Sequence, residues 1–222
     1  MSEGEVKVLG TWASPFSTRV RIALHLKSVN YDYLEEKSLE SKSELLLNSN
    51  PVFKRIPVLI HGDNKPISES LIIVEYIDEV WSSGPSILPC DAYQRADARF
   101  WATYVDDKFY PALKRAVVSG SEETKRASMA EVEEGVAMLE KLSKEEAFFG
   151  GYNIGYLDIV IGSVFEWIKV IDKCIETQLL SQAETPCLLE WGARFSSHEA
   201  VKDVLPGVAK LAGFGLKLKA KI

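Results

Sequence analysis

The segment Trp12–Arg21, which reads WASPFSTRVR, decides how the chain begins to fold. Before it, Val6–Leu9 is short, β-branched and alternating, as a strand is. After it, Val20–Val29 is apolar with interspersed basic residues and contains no helix breaker. Ser14 followed by Pro15 is a strong helix-start signal, because the first turn does not need proline's missing N–H. We therefore expect Ser14 at the carboxyl end of a strand and the positive end of a helix, where an anion is favoured.

Two roles are open for Ser14. Its side chain could simply cap the helix, or its hydroxyl could donate a hydrogen bond to a bound anion. A nucleophilic role is disfavoured because His25 lies about three turns further along the same helix. The Gly-x-Ser-x-Gly elbow of hydrolases is also absent from the sequence. If Ser14 takes part in chemistry, we expect it to act as a hydrogen-bond donor.

The composition is that of an ordinary globular protein. The 222 residues are 46% hydrophobic and 26% charged, and the formal charge of -6 argues against nucleic acid or an anionic membrane as the main partner. The amino terminus lacks the apolar run of a secretory signal, and Tyr156–Ile171 is too short to span a bilayer. Cys90, Cys174 and Cys187 have neither disulfide nor metal-site spacing, so we expect free thiols, a reducing compartment and no metal.

The order of the predicted elements indicates two domains. Strand, helix, strand, helix, strand, strand and helix follow one another in the first 82 residues, which predicts a compact α/β unit. The cluster Ser82–Ser86 interrupts this pattern, and helical patterns without a convincing strand follow it. We therefore expect an α/β domain at residues 1–82, a linker at 83–91 and an all-helical domain at 92–222, with one long helix over 92–118.

Polar and prolyl residues mark the ends of later elements in the first domain. Ile56–Pro57 directly precedes the third strand, and sequence alone leaves its cis or trans state open. Glu69 and Ser70 begin the next helix, either as an ordinary capped start or as a site. In a site, Ser70 and free N–H groups would hold a carboxylate while Glu69 attracts an ammonium. Lys42 and Arg55 could pair with a second carboxylate, although surface basic side chains are usually solvated.

Several short motifs occur together in one order along the chain. They are WASPF at 12–16, KSELLL at 42–47, NPV at 50–52, IPVL at 56–59, ESLII at 69–73, ARFW at 98–101 and FGG at 149–151. Each motif alone is weak evidence, but the combination is highly specific. Over essentially its whole length the chain resembles the plant tau-class glutathione S-transferases.

The resemblance implies a thioredoxin-like domain followed by a helical domain, in a cytosolic homodimer with glutathione as co-substrate and no tightly bound cofactor. Ser14 matches the family's catalytic serine, which donates a hydrogen bond to the glutathione sulfur. Arg55 stands where this class commonly has lysine, a departure that keeps the charge but leaves the contact geometry open. The positions matching glutathione contacts are Lys42, Arg55, Ile56, Glu69 and Ser70, with Pro57 as the cis proline. The positions matching the variable hydrophobic co-substrate site are Trp12, Phe16, Tyr110 and Trp167, for which a core role is the alternative.

These correspondences predict an enzyme that conjugates the glutathione thiolate to hydrophobic electrophiles. Lowering the thiol pKa by about two units needs about 2.7 kcal/mol, within reach of a charge-assisted hydrogen bond and a helix end. Glutathione-dependent hydroperoxide reduction stays open because it needs the same thiolate. A cysteine-dependent reductase is disfavoured, since Ser14 and Ser17 stand where such enzymes place cysteines. A carrier of hydrophobic metabolites is the remaining alternative, although a carrier needs no thiolate-stabilising site.

Overall fold

The chain folds into two compact units, Met1–Leu88 and Pro89–Ile222. The computed structural model describes residues 5–37, 41–62, 65–143, 146–175 and 177–219. The first unit combines a mixed sheet with helices. The regular elements described in the second unit are helices. The predicted fold class, α/β followed by all-α, is therefore confirmed.

The first unit is built on a four-stranded sheet. Its elements are β1 (Val6–Gly10), α1 (Pro15–Leu26), β2 (Asp32–Glu35), α2 (Glu44–Ser49), β3 (Val58–His61), β4 (Lys65–Ser68) and α3 (Ser70–Val80). Among the described residues the strand order is β2-β1-β3-β4. β1 pairs parallel with β2 and antiparallel with β3, and β3 pairs antiparallel with β4. The hairpin turn predicted at residues 62–65 lies partly outside the described residues.

The branched residues of the central strands form the core of this unit. Val8 and Leu59, on the paired strands β1 and β3, are fully buried. Helices α1 and α3 pack against each other and bury Ile22 and Ile73 respectively. Val80, the last residue of α3, is 37% exposed.

The carboxylate of Asp78 anchors the segment that follows α3. It accepts hydrogen bonds from the amides of Ile87 and Leu88, both at 2.9 Å, and pairs with the ammonium of Lys27 at 2.7 Å. Lys27 also donates to the carbonyl oxygen of Pro85 at 2.8 Å. Ile87 and Leu88 are buried. The first unit thus includes residues 83–88, which the sequence pattern assigned to a linker.

The second unit contains a helical stretch interrupted by a wider turn. Its described helices are α4 (Ala92–Tyr104), α5 (Tyr110–Val118), α6 (Glu122–Leu142), α7 (Tyr156–Ile175), α8 (Pro186–Ser197) and α9 (Val208–Lys219). The single helix predicted over 92–118 is instead divided by a π-helical segment, Val105–Phe109. Phe109 is buried against Gly135 of α6, where an added Cβ would come within 2.3 Å of the ring. Phe109 therefore depends on a glycine opposite it.

Helices α7 and α8 fit together through two glycine notches. A Cβ on Gly162 of α7 would lie 2.1 Å from the ring of Phe195, and one on Gly192 of α8 would lie 2.2 Å from the ring of Phe165. Asp158, fully buried in the first turn of α7, fixes the loop before this helix. Its carboxylate accepts hydrogen bonds from the amides of Phe149, Gly150 and Gly155 and from the indole of Trp191. Most residues of α7 are buried, so this helix belongs to the core of the second unit.

The cysteines and histidines do not gather into a cluster. Cys90, Cys174 and Cys187 are free thiols, as the sequence predicts. Within the described ranges, no group of three or more histidine, cysteine, aspartate or glutamate side chains could hold a metal ion. None of the helices described is both long enough and apolar enough to cross a bilayer.

We predict that Asp78→Asn lowers the free energy of unfolding by about 3–5 kcal/mol at neutral pH, because it leaves the Lys27 charge buried without its partner. The Lys27 side chain is 1% exposed, so water cannot replace the carboxylate. Urea titration of the full chain measures the effect. The matched control is Glu79→Gln on the same helix, whose side chain is exposed and whose loss should change stability little.

The same carboxylate predicts a pH dependence. Burial would raise the pKa of Asp78, but the amides of Ile87 and Leu88 and the ammonium of Lys27 outweigh it and lower that pKa below 3.8. A carboxyl group whose folded-state pKa is depressed stabilises the fold above its unfolded value, and this stabilisation is lost as the pH falls through the folded value. The acid limb of the stability curve should therefore be shallower in Asp78→Asn. An identical acid limb in both proteins would contradict this assignment.

Candidate active site

Strand pairing brings several chain segments to one edge of the sheet. Leu9 of β1 pairs with Val58 of β3, and Val58 pairs with Ser68 of β4. Because these pairs are antiparallel, the residues after Leu9 and after Ser68 lie beside those that precede Val58. Gly10 pairs with Glu35, so the end of β2 reaches the same edge. The segments collected there are the turn leading to Ser14, the segment Arg55–Pro57, the pair Glu69–Ser70 and the end of β2.

Ser14 is the N-cap of α1. Its backbone is extended, with φ -82° and ψ 119°, and its Oγ accepts a hydrogen bond from the Ser17 amide at 3.3 Å. The Ser14 amide donates to the Thr11 carbonyl at 3.0 Å. Glu35 secures this turn, because its Oε1 accepts from the Thr11 hydroxyl at 2.8 Å and from the Trp12 amide at 3.2 Å. Ser14 therefore caps α1 through its oxygen. Its O–H has no acceptor among the described residues, so the hydroxyl hydrogen is available to a ligand.

Gly10 and Ser17 pack against this turn. Ser17 is buried and its Oγ accepts from the Thr11 amide at 3.3 Å. A Cβ at Gly10 would lie 2.6 Å from the Ser17 Oγ and 2.9 Å from the Tyr33 Oη, so a larger residue does not fit. Burial raises the pKa of Tyr33 well above its usual range, with the nearby Glu35 carboxylate adding to the effect. The phenol therefore stays protonated, and Ser17 has a structural role.

Lys42 precedes α2 by two residues. The helix is capped by Ser43, whose Oγ accepts from the Leu46 amide at 3.2 Å. Glu36 follows β2 and is buried, and it accepts from the Ser43 amide at 3.0 Å and the Ser43 hydroxyl at 2.7 Å. Glu36 therefore fixes the residue next to Lys42. In the described part of the chain, no carboxylate pairs with Lys42 or Arg55.

The residues before β3 present backbone groups at the sheet edge. The Ile56–Pro57 peptide bond is cis, as the resemblance implies. Pro57 is buried, Ile56 is half-buried and the Arg55 side chain is exposed. The Ile56 side chain packs against a buried cluster that includes Leu46 and Val58. Arg55 is thus directed to solvent while Ile56 is tied to the core.

Glu69 and Ser70 form the start of α3. Glu69 is the N-cap, has a φ of +72° and makes no side-chain hydrogen bond to the helix. A positive φ in a residue other than glycine is strained, and such strain concentrates at functional sites. Ser70 is buried, and its Oγ accepts a hydrogen bond from Arg19 at 3.3 Å. Arg19 is fully buried, and its guanidinium lies 5.0 Å from the centroid of the Phe16 ring.

The four residues predicted to line a co-substrate site occupy different settings. Trp12 and Phe16 flank Ser14 and are half-buried. Tyr110 is half-buried and begins α5, directly after the π-helical segment. Trp167 lies in α7, is 9% exposed and contacts the ring of Phe214 in α9. Among these four, Trp167 is the one whose burial also fits a core role.

Together these groups suit an anionic ligand that also carries an ammonium. The Ser14 hydroxyl lies at the positive end of α1, and the start of α3 has no side-chain cap. Lys42 and Arg55 supply positive charge, and Glu69 supplies a negative charge. Such a set can hold two carboxylates and an ammonium while a donor faces a developing negative charge.

Sequence reasoning missed the buried polar residues that hold these groups in place. The buried ones are Arg19 behind Ser70, Glu36 behind Ser43, and Asn50, which bonds to the loop before Ile56. The exposed Glu35, behind the Ser14 turn, was missed as well. Arg19 carried the clearest signal, because it is a charged residue between apolar positions of a helix that the pattern expects to be buried.

Two family profiles match the chain, one in each unit. The profile of the glutathione S-transferase N-terminal domain matches residues 4–79. The profile of the glutathione S-transferase C-terminal domain matches residues 100–199.

Similar proteins support the same relationship. Glutathione S-transferase U17 from Arabidopsis thaliana is 54% identical, with 100% of this chain and 99% of that protein aligned. The crystal structure of a tau-class glutathione S-transferase from mango, Mangifera indica, is 54% identical, has a TM-score of 0.90 and covers 96% of this chain and 98% of its own. A rice glutathione transferase, solved in complex with glutathione, is 36% identical with a TM-score of 0.91, and it covers 100% of this chain and 99% of its own.

We predict that Glu69→Gly stabilises the protein by about 1 kcal/mol. Glycine removes strain of about 1–3 kcal/mol at this positive φ, and its greater freedom in the unfolded chain offsets about 0.5–1 kcal/mol of that gain. Urea unfolding measures the change. The control is Glu69→Ala, which removes the same carboxylate but keeps a Cβ and the strain. If Glu69→Ala is instead more stable than Glu69→Gly by about 0.5–1 kcal/mol, the backbone at this position is not strained.

Proposed function

Because this chain belongs to the tau class of the glutathione S-transferases and is a glutathione transferase, we propose that the Ser14 hydroxyl stabilises the glutathione thiolate. The observation that carries the proposal is the N-cap geometry of Ser14. Its Oγ already accepts from the Ser17 amide, so its hydrogen is directed elsewhere. The sulfur would lie at the positive end of α1, where a negative charge is favoured.

The remaining groups at the sheet edge suit the rest of the tripeptide. Glu69 would attract the ammonium of the γ-glutamyl residue, and Ser70 with the amides of the α3 start would hold its carboxylate. Lys42 and Arg55 would pair with the other carboxylate of glutathione. The Ile56 amide beside Pro57 would bond to the peptide backbone. This assignment uses each charge on glutathione, and no further cofactor is needed for it.

The free energy needed to ionise the glutathione thiol is within the range that Ser14 and the start of α1 can supply. The thiolate is the nucleophile in such a reaction, and its fraction at neutral pH rises as the thiol pKa falls. Lowering that pKa by about two units takes about 2.7 kcal/mol of preferential interaction with the charged form. A hydrogen bond to a charged group contributes roughly 1.5–3 kcal/mol, and a helix end adds roughly 0.3–1 kcal/mol. One hydroxyl at a helix start is therefore sufficient.

The second substrate would be a hydrophobic electrophile. We propose that Trp12 and Phe16, which flank Ser14, contact it. Holding the electrophile beside the sulfur lowers the barrier through proximity. The sulfur lone pair would attack the electrophilic carbon and expel its leaving group. The same thiolate would reduce a hydroperoxide, with two glutathione molecules giving the disulfide, an alcohol and water.

We further propose that the protein works as a homodimer in the cytosol, as the resemblance implies. The first unit exposes several large apolar side chains on α2, the loop after it and α3, namely Leu45, Val52, Phe53 and Ile72. Val52 and Phe53 are adjacent in the chain, and contiguous exposed apolar side chains are typical of protein–protein contact surfaces. A second copy of the chain would cover them.

We predict that Ser14→Ala raises the pKa of bound glutathione by about one to two units, toward the free thiol, and lowers kcat by about tenfold or more at neutral pH. Ultraviolet difference absorbance of the bound thiolate across a pH series measures the pKa. Normal binding by wild type with no lowered thiol pKa would contradict the catalytic proposal and favour the carrier.

Two further substitutions separate the hydroxyl's chemistry from its capping role. Ser14→Gly keeps a good N-cap and should lose the pKa shift with little loss of stability. Ser14→Thr keeps both the cap and the hydroxyl and should retain most of the shift. If Ser14→Gly binds glutathione with the wild-type pKa, the hydroxyl is not the thiolate-stabilising donor.

We predict that Phe53→Asp weakens dimerisation by about 10- to 100-fold, since burying an aromatic side chain contributes roughly 1.5–3 kcal/mol. Phe53 is 56% exposed in the single chain. Sedimentation velocity at micromolar concentration measures the dissociation. The control is Tyr152→Asp, at a residue 86% exposed in a turn of the second unit, which should remain dimeric. A monomeric wild type would refute the dimer.

A further inference from the structure

Asn50 is a buried polar residue that the proposed chemistry does not use. It follows α2 and is 4% exposed. Its Nδ2 donates to the carbonyl oxygen of Arg55 at 3.0 Å, and its Oδ1 accepts from the amide of Phe53 at 3.1 Å. Both the nitrogen and the oxygen of the side-chain amide are therefore hydrogen-bonded to the loop that leads to the Arg55–Pro57 segment.

The bond to Arg55 determines where the next amide points. The carbonyl of Arg55 and the N–H of Ile56 belong to one peptide unit, which is planar. The cis bond in this region joins Ile56 to Pro57, so the preceding unit is trans and its C=O and N–H point in opposite directions. Because Asn50 holds the carbonyl, the Ile56 N–H points away from Asn50.

The Ile56 N–H has no backbone acceptor in the described part of the chain. The Ile56 side chain is partly buried against the cluster formed by Leu9, Leu46, Val58 and Ile60, which limits how far the residue can reorient. Backbone donors in native proteins are almost always paired with protein or solvent. This donor is held at the edge of the sheet, beside the segments that we assign to glutathione.

Little else holds the loop before Ile56. Residues 51–55 are all exposed, and Lys54 has a positive φ of 53°. Among the described residues of α2, Leu46 is the one that is buried, so apolar packing secures this helix weakly. Asn50 also accepts the Lys54 amide on its own carbonyl at 2.8 Å. The hydrogen bonds of the buried Asn50 side chain are therefore the main contacts that hold this loop in place.

We propose that Asn50 is a positioning residue for glutathione: it holds the Arg55 carbonyl so that the Ile56 N–H donates to a backbone carbonyl of the tripeptide. The inference rests on the proposed function, because it takes glutathione as the ligand. On this proposal Asn50 affects how tightly the protein binds the peptide backbone of glutathione. It does not affect ionisation of the thiol, a role that we assign to Ser14.

The test is Asn50→Asp, compared with Asn48→Asp as the matched control. Aspartate keeps the shape and the acceptor for the Phe53 amide but replaces the donor with an oxygen that faces the Arg55 carbonyl. Asn48 lies near the end of α2, two residues before Asn50, is exposed, and gains the same charge in its variant. Calorimetry with S-methylglutathione measures binding without thiol ionisation. Steady-state assays give KM for glutathione and kcat separately.

We expect Asn50→Asp to weaken S-methylglutathione binding and raise the glutathione KM by about tenfold, the size of one net hydrogen bond. The kcat and the pKa of the bound thiol should stay at wild-type values, and Asn48→Asp should behave as wild type. A purely structural role would lower the melting temperature and kcat together. If Asn50→Asp does not fold, Asn50→Ala takes its place with the same expectation.

Two outcomes would overturn the inference. Wild-type affinity for S-methylglutathione in a folded Asn50 variant would show that the Asn50 side chain does not position the Ile56 amide. Failure of the wild-type chain to bind the probe would overturn the proposed function, and this inference with it. An Ile56 amide resonance that shifts on ligand addition in wild type but not in Asn50→Asp would support it directly.

Discussion

The antiparallel pairing of β1 with β3 is the constraint on which the site depends. Leu9 opposite Val58 sets which residues emerge together at the edge of the sheet. A slip of one residue would move every side chain of β3 to the opposite face and would separate the Ser14 turn from Ile56. The buried apolar residues of both strands oppose such a slip. The register of a hydrophobic core therefore also sets the geometry of a polar site.

Polar side chains then hold the loops that the sheet brings together. Arg19 reaches Ser70, Glu35 reaches the Thr11–Trp12 turn, Glu36 reaches Ser43 and Asn50 reaches Arg55. Each of these bonds links an element to a loop bearing a residue that we assign to glutathione. Buried polar groups with satisfied partners confer a unique geometry more than they confer stability. The site thus consists of loops held by polar side chains, at the edge of a sheet held by apolar ones.

Much of this arrangement was predictable from the sequence because its signals are local. The Ser-Pro start of α1, the alternation of β1 and the apolar pattern of α7 each depend on neighbours within one element. The partners of Arg19 and Glu36 were not predictable, since which loops meet depends on strand register, and Arg19 lies 51 residues from Ser70. The contacts of Asp78 were not predictable either, because this carboxylate binds the amides of Ile87 and Leu88, nine and ten residues further along the chain.

The π-helical segment Val105–Phe109 was not predictable from the sequence either. A helix with one extra residue keeps nearly the same apolar pattern over its first turns. Each residue of an α-helix turns the chain by about 100°, so the extra residue rotates all of α5 relative to α4. Deleting one residue here would restore a regular helix but would turn Tyr110 and every later side chain of α5 to a new direction. This part of the chain therefore tolerates substitution far better than insertion or deletion, and its length is under stricter constraint than its composition.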